Sequence, residues 1–200
     1  MSYQTHPQHI LLIGVVIFLT GCQQYQKTKI NPPPVLAPAT QTTTTPSNQF
    51  SVQGKIGIKT PTQSGSAFFT WQQDQDTFNI ELSGALGIGK TNIQGNSHHA
   101  TLISAKTGTI ESESPEQLLK QATGWNAPIG NLTAWIQGQA ATSQAQIQHD
   151  SENRINQLDE DGWQVNFSYH PAQELPNKII IKQMLDNNQE NRITLIIENR

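Results

Sequence analysis

From residue 50 onward, apolar and polar side chains alternate with a period of two. Phe50, Val52, Gly54, Ile56 and Ile58 take one set of positions, and Ser51, Gln53, Lys55, Gly57 and Lys59 take the other. Such alternation marks a strand with one apolar face. After the turn residues Pro61-Thr62-Gln63-Ser64-Gly65, the pattern resumes with Ala67, Phe69 and Trp71. Asp74-Gln75-Asp76 turns the chain again, and Phe78, Ile80 and Leu82 follow. Further strands are predicted over 90–94, 100–104, 107–111, 144–149, 154–158, 163–170, 178–184 and 192–199. The connections are too short for parallel crossovers, so the strands form an antiparallel meander.

Two segments break the period. Ser114-Pro115-Glu116-Gln117 has an N-cap serine, proline at the first helical position and glutamine three residues on, the pattern of a capping box. Leu118, Leu119 and Ala122 give the helix an apolar stripe, and Gly124 ends it. A second helix is predicted over 130–137, with Leu132, Trp135 and Ile136 on one face and Gly138 after it. A curved sheet of about eleven strands must cover its apolar face. Two short amphipathic helices inserted mid-sheet point to a mainly β fold: one incompletely closed antiparallel barrel with a helical lid or plug. Its interior either packs solid or holds an apolar ligand.

The first 48 residues follow other rules. Residues 10–19 are ten consecutive residues of apolar character, about 15 Å as a helix and half the depth of a hydrocarbon core. That length suits the apolar region of a signal peptide, not a membrane span. Leu19-Thr20-Gly21-Cys22 comes next and resembles a bacterial lipobox, in which the cysteine is lipidated and becomes the new N-terminus. Cys22 is the single cysteine of the chain. Gln23, in place of the aspartate that retains such proteins in the inner membrane, favours the outer membrane. Between Cys22 and residue 48, five prolines, a run of threonines and the absence of Asp and Glu predict an extended tether. The expected organisation is therefore a signal peptide over 1–21, a lipidated cysteine and tether over 22–48, and one β-domain over 49–200.

Composition narrows the function. The 200 residues carry 12 Lys+Arg against 15 Asp+Glu, a net charge of −3, which argues against a nucleic-acid partner. One cysteine excludes an internal disulfide or a CxxC site. His98-His99 is the one histidine cluster, and neighbours on a strand point to opposite faces, so the pair suits an exposed turn better than a metal. Asp159-Glu160-Asp161-Gly162 lacks the remaining spacing of a calcium loop and reads as a hairpin turn. No catalytic constellation stands out, so neither an enzyme nor a cofactor is expected. Leu86 lies among the glycines of Gly84-Ala85-Leu86-Gly87-Ile88-Gly89, either folded back into the core or exposed at a turn tip. Trp71, Trp125, Trp135 and Trp163 either fill the core or contact a ligand.

Several of these stretches, in order and at matching spacing, resemble the outer-membrane lipoprotein receptor family LolB. They are the lipobox, the Pro-rich tether, Gly54-Lys55-Ile56-Gly57-Ile58, Phe68-Phe69-Thr70-Trp71-Gln72-Gln73, Gly84-Ala85-Leu86-Gly87, residues 115–124, Trp135-Ile136-Gln137-Gly138, Leu175-Pro176 and residues 192–200. The resemblance implies a monomer, anchored by lipid in the outer membrane and facing the periplasm. It would accept triacylated lipoproteins from the periplasmic carrier LolA and release them into the outer membrane, without nucleotide or metal. It further implies that the leucine of Gly84, Ala85, Leu86 and Gly87 inserts into membrane lipid, with Ala85 standing where the family's usual proline would be. Phe69, Trp71, Leu118, Trp135 and Ile136 would surround the cavity for the acyl chains. Two other classes are a scaffolding lipoprotein of outer-membrane assembly and a lipid-modifying or cell-wall enzyme. The second lacks an acid, base and nucleophile set.

Overall fold

A computed structural model describes residues 48–84 and 88–200. Cys22, the signal, the tether and Ala85, Leu86 and Gly87 lie outside the described residues. Eleven strands form one antiparallel sheet: β1 (Gln49–Lys59), β2 (Ser64–Asp74), β3 (Thr77–Gly84), β4 (Ile88–Asn96), β5 (His99–Ser104), β6 (Gly108–Ser112), β7 (Gln146–His149), β8 (Ile155–Glu160), β9 (Trp163–Ser168), β10 (Lys178–Met184) and β11 (Glu190–Asn199). The order is β6-β5-β4-β3-β2-β1-β11-β10-β9-β8-β7. Each strand therefore lies beside its sequence neighbour except at the β6 to β7 step, and β1 and β11 join the two halves. β6 and β7 are the two edges, so the sheet does not close.

Helices α1 (Pro115–Thr123) and α2 (Ile129–Trp135) make the connection from β6 to β7. Their apolar faces sit on the concave side. Leu118 packs with Ile93, Ala100 and Leu102, while Leu132, Trp135 and Ile136 pack with Val52, Trp71, Val165 and Ile181. The expected open antiparallel sheet with short helices against it is the fold that forms.

Local sequence explains most boundaries. Ser114 caps α1 by accepting from the Gln117 amide, Pro115 fills the first turn, and Gly124 closes the helix at φ 74° with its N–H on the Lys120 carbonyl. The reciprocal half of the capping box does not form, because the Gln117 side chain instead accepts from Ser112 Oγ at 3.3 Å. The second helix begins at Ile129 and ends at Trp135, slightly shorter than its apolar pattern. The acidic turn at 159–162 is also smaller than the sequence reading has it. Glu160 still belongs to β8 and pairs with Trp163, leaving Asp161 (φ 51°) and Gly162 (φ 77°) as a two-residue turn. Asp-Gly tolerates the two positive φ angles that such a hairpin requires.

Gly54 is fixed by close approach. A Cβ at Gly54 would lie 1.9 Å from the Ile196 carbonyl oxygen. The register between β1 and β11 shifts at this point, between Gln53 and Gly54, which brings the two backbones together.

Candidate functional site

The concave face is apolar because it takes every second residue of each strand, yet its two halves are filled differently. Around α2 the side chains are tightly buried: Trp135, Ile136, Leu158, Val165, Ile179 and Ile181 have essentially no exposed surface. Under α1, Phe78, Ile80 and Leu82 on β3 and Leu119 on the helix are only half-buried. A cavity of about 370 Å³ lies there. Its wall is Ile56 and Ile58 from β1, Ala67 from β2, Leu82 from β3, Ile93 from β4, Leu102 from β5, and Leu119 and Ala122 from α1. Gln63, Ser64, Ser83, Gly84, Lys106 and Thr107 are also among its lining and belong to one end of the sheet, where β1–β2, β3–β4 and β5–β6 connect.

The chemistry of this lining is that of a container. Among the described lining residues, Lys106 is the one charged side chain, and the others are aliphatic, hydroxyl, amide or glycine. Its volume falls at the low end of the ~300–1,000 Å³ typical of ligand pockets. An apolar ligand would gain by leaving water for such a wall, while the hydroxyls and Lys106 at the end suit a polar head.

The five residues grouped around an acyl cavity by resemblance are all buried. Phe69, Trp71, Trp135 and Ile136 belong to the larger core cluster and Leu118 to the smaller one. None of the five lines the 370 Å³ cavity. They lie next to it: Leu82 and Leu119, which do line it, pack against both clusters. The aromatic donors are engaged in structure. Trp71 Nε1 donates to Gln73 Oε1 at 2.9 Å, and Phe50 meets the Trp71 ring edge-on at 5.4 Å. Gly84 ends β3 at φ 131° and pairs with Ile88. Leu86 and Cys22 lie outside the described residues.

Glu160 is the polar residue that the sequence reading missed. The sequence places it in a hairpin turn, but it is 4% exposed. Oε2 accepts from Trp135 Nε1 at 2.7 Å and from the Ala141 amide at 3.0 Å, and Oε1 accepts from the Thr142 amide. Burial pushes this carboxyl up. The hydrogen bonds from Thr142, Trp135 and Ala141 outweigh it and hold the carboxyl below the ordinary glutamate value. The signal was in the period: Leu158 points inward, so Glu160 two residues later must also. Its partners are spoken for on all sides, so it serves as an anchor for α2 and not as a base.

The other polar clusters are structural as well. Ser97 donates to Asp76 Oδ2 at 3.0 Å and contacts His98 Nδ1 at 2.7 Å, in the exposed β4–β5 turn and away from the cavity. His99 begins β5 and is exposed. Arg154 binds Asp150 at 2.8 Å and stacks 4.5 Å from the Tyr169 ring centroid. Arg200 donates to the Ile136 and Pro176 carbonyls at 2.8 and 2.7 Å, tying the end of α2 to the β9–β10 connection.

The family profile described as "Outer membrane lipoprotein LolB" matches residues 48–199. Outer-membrane lipoprotein LolB of Stutzerimonas stutzeri is 38% identical over 153 residues, 74% of this chain and 72% of the relative. The protein of the same name from Pseudomonas syringae pv. syringae is 30% identical over 200 residues, 96% of this chain and 94% of its own. Among solved structures, a LolA superfamily protein from Nitrosomonas europaea aligns over 78% of this chain and 88% of its own, with 10% identity and a TM-score of 0.43. The family profile and the two curated relatives place the chain in the LolB family of outer-membrane lipoproteins.

Proposed function

We propose that this protein accepts acylated lipoproteins from the periplasmic carrier LolA and inserts them into the outer membrane, acting as a receptor and not as an enzyme. The observation that supports this most is the apolar cavity under α1, which holds one charged side chain in its described lining. In this reading, residues 1–21 are removed as a signal peptide. Cys22 carries the acyl anchor, residues 22–48 tether the domain, and residues 49–200 handle cargo. Leu86, in the Gly84-Ala85-Leu86-Gly87 turn, enters the inner leaflet when cargo is released.

The driving force is burial of acyl methylenes. Ten CH₂ groups gain roughly 8 kcal/mol gross at ~0.8 kcal/mol each, before ordering costs. That suffices to draw cargo from a weaker-binding carrier without nucleotide. At about 30 Å³ per water-sized group, the 370 Å³ cavity takes roughly a dozen methylene-sized groups, less than three full chains. The remaining room comes from α1. Among its nine residues Pro115 and Leu118 are the buried ones, so it is the thinly held part of the wall. As α1 yields, chains run on toward Leu118, Phe69 and Trp71, and then toward Trp135 and Ile136.

Transfer of an acylated lipoprotein from purified LolA to this protein tests the reading. Acylated cargo should move and the same cargo without acyl chains should not. Equal movement of both forms would favour a protein-binding scaffold and overturn the reading.

A further inference from the structure

Charge is distributed unevenly along the strands of the β1–β6 half. At the cavity end, the described parts of the three connections and their flanks are 59–66, 83–84 with 88–91, and 103–109. They contain Lys59, Lys90 and Lys106 and neither Asp nor Glu. The registers bring them to one end: Lys59 pairs with Ser64, Gly84 with Ile88, and Ser104 with Gly108. All three lysines are exposed. Lys106 lines the cavity itself. Lys90 meets Glu81 of β3 at 3.0 Å, an ion pair open to solvent on both sides, and Lys59 and Lys106 leave these three connections with an excess of positive charge. At the opposite end, residues 74–77, 96–99 and 112–114 hold Asp74, Asp76 and Glu113 and neither Lys nor Arg.

The β1–β6 half, positive at one end and negative at the other, turns its positive end toward an anionic surface. The β8–β9 and β10–β11 turns at that same end carry Asp161, Asp186 and Glu190, so the approach is through the β1–β6 side. The chain belongs to a family of outer-membrane lipoproteins, so a phospholipid surface is within reach. We propose that Lys59, Lys90 and Lys106 form a docking rim for anionic phospholipid headgroups, which stands the sheet on the bilayer with the cavity mouth facing the lipid. This deepens the insertion reading above and rests on it for its purpose. The rim would align an acyl-filled cavity with the leaflet that receives the chains. The lysines hold headgroups as point charges on flexible stems, so contact is reversible and sensitive to salt.

The test is lysine footprinting of the acylated full chain in vesicles, without cargo or carrier. An amine-reactive reagent is applied with vesicles of phosphatidylcholine alone and with phosphatidylglycerol admixed, and each lysine is quantified by mass spectrometry. Lys59, Lys90 and Lys106 should lose reactivity by about fivefold each in the anionic vesicles, the effect of one cation near an anionic surface. High salt should restore it. Lys178, at the far end of β10, and Lys55, in mid-strand and paired with Glu198 at 3.2 Å, should not change. Equal reactivity in both vesicles would overturn the proposal, as would equal protection of every lysine. Protection by inorganic phosphate alone would reduce the rim to a simple anion site, and protection that appears only on adding LolA would make it a protein interface. Either result also overturns the proposal. The footprint needs no cargo, so its failure leaves the receptor reading standing, and failed cargo transfer beside a positive footprint condemns only that reading.

Discussion

Trp135 Nε1 donates to Glu160 Oε2 at 2.7 Å, and neither residue has appreciable contact with solvent. This bond fastens the last turn of α2 to the end of β8. With the Ala141 and Thr142 amides on the same carboxylate, it also fixes the chain leaving the helix. Three donors depend on one acceptor group. Glu160→Leu should cost about 3 kcal/mol or more, since buried donors left unpaired cost ~1–3 kcal/mol each. Urea unfolding at neutral pH measures it, with Glu152→Leu, an exposed glutamate, as the control that should change little.

The same carboxylate gives the fold a dependence on acid. Its pKa is depressed on folding, so its contribution is complete above the ordinary glutamate range of about 4.3 and is lost as pH falls through the lower folded value. Asp150 shifts in the same direction, held low first by the Arg154 backbone hydrogen bond and then by the Arg154 side chain. The melting temperature of the wild type should therefore fall as pH drops below about 4.3. Glu160→Gln should start lower at neutral pH and fall less steeply on acidification, because the unfolded state no longer takes up that proton.

Gly54 predicts a failure of a different kind. The neighbour of an added methyl group is the Ile196 carbonyl, part of a backbone that joins the two halves of the sheet. Gly54→Ala should destabilise by about 3 kcal/mol, the upper part of the overpacking range. At Gly162 an added Cβ meets nothing within 4 Å, and the cost there is only that of a left-handed L-residue, about 1–2 kcal/mol. Thermal melts of the two variants side by side separate the cases.

Cavity variants must avoid the packed core. Trp135→Asp would set a second carboxylate beside Glu160 and unfold the protein before it reported on a ligand. Leu119 is half-buried and lines the cavity. Leu119→Asp should keep the fold and weaken binding of acylated lipoprotein about ten- to a hundredfold, from loss of ~1.5–3 kcal/mol of apolar contact. Fluorescence titration with acylated and unacylated cargo checks it. Equal weakening of both forms would point to a protein-recognition surface.

A variant at Leu86 tests whether receiving and delivering are separate steps. On the insertion reading, Leu86→Glu should fold with wild-type stability and accept cargo from LolA, yet fail to pass it to vesicles. A leucine contributes roughly 1.5–3 kcal/mol on burial, enough to orient a tethered protein and not to anchor one. A loss of several kcal/mol of stability would mean that Leu86 is a core residue.

Much of the fold was legible because a half-buried strand writes its register directly into the chain. Phe50, Val52, Ile56 and Phe69, Trp71 announce β1 and β2, and Ser114-Pro115 announces α1. What stayed hidden depends on contacts between distant segments. Glu160 looked like a turn residue until α2 supplied the indole that buries it. The register shift at Gly54 is caused by β11, some 140 positions on. The cavity was least legible. Phe69, Trp71, Leu118, Trp135 and Ile136 carry strong apolar signals because they close the core. Leu82, Leu119 and Ile93 border the space because α1 stands over the sheet there without filling the gap.

The central claim is that acyl chains enter the space beneath α1. Photocrosslinking from a lipoprotein with a photoreactive group near the end of one acyl chain tests it most directly, with labelled peptides mapped by mass spectrometry. The account expects labels on β3–β5 and α1, at Leu82, Ile93, Leu102 and Leu119, reaching Leu118 and Phe69 for longer chains. Labels confined to the convex face, at exposed Phe68 or Ile196, would contradict it.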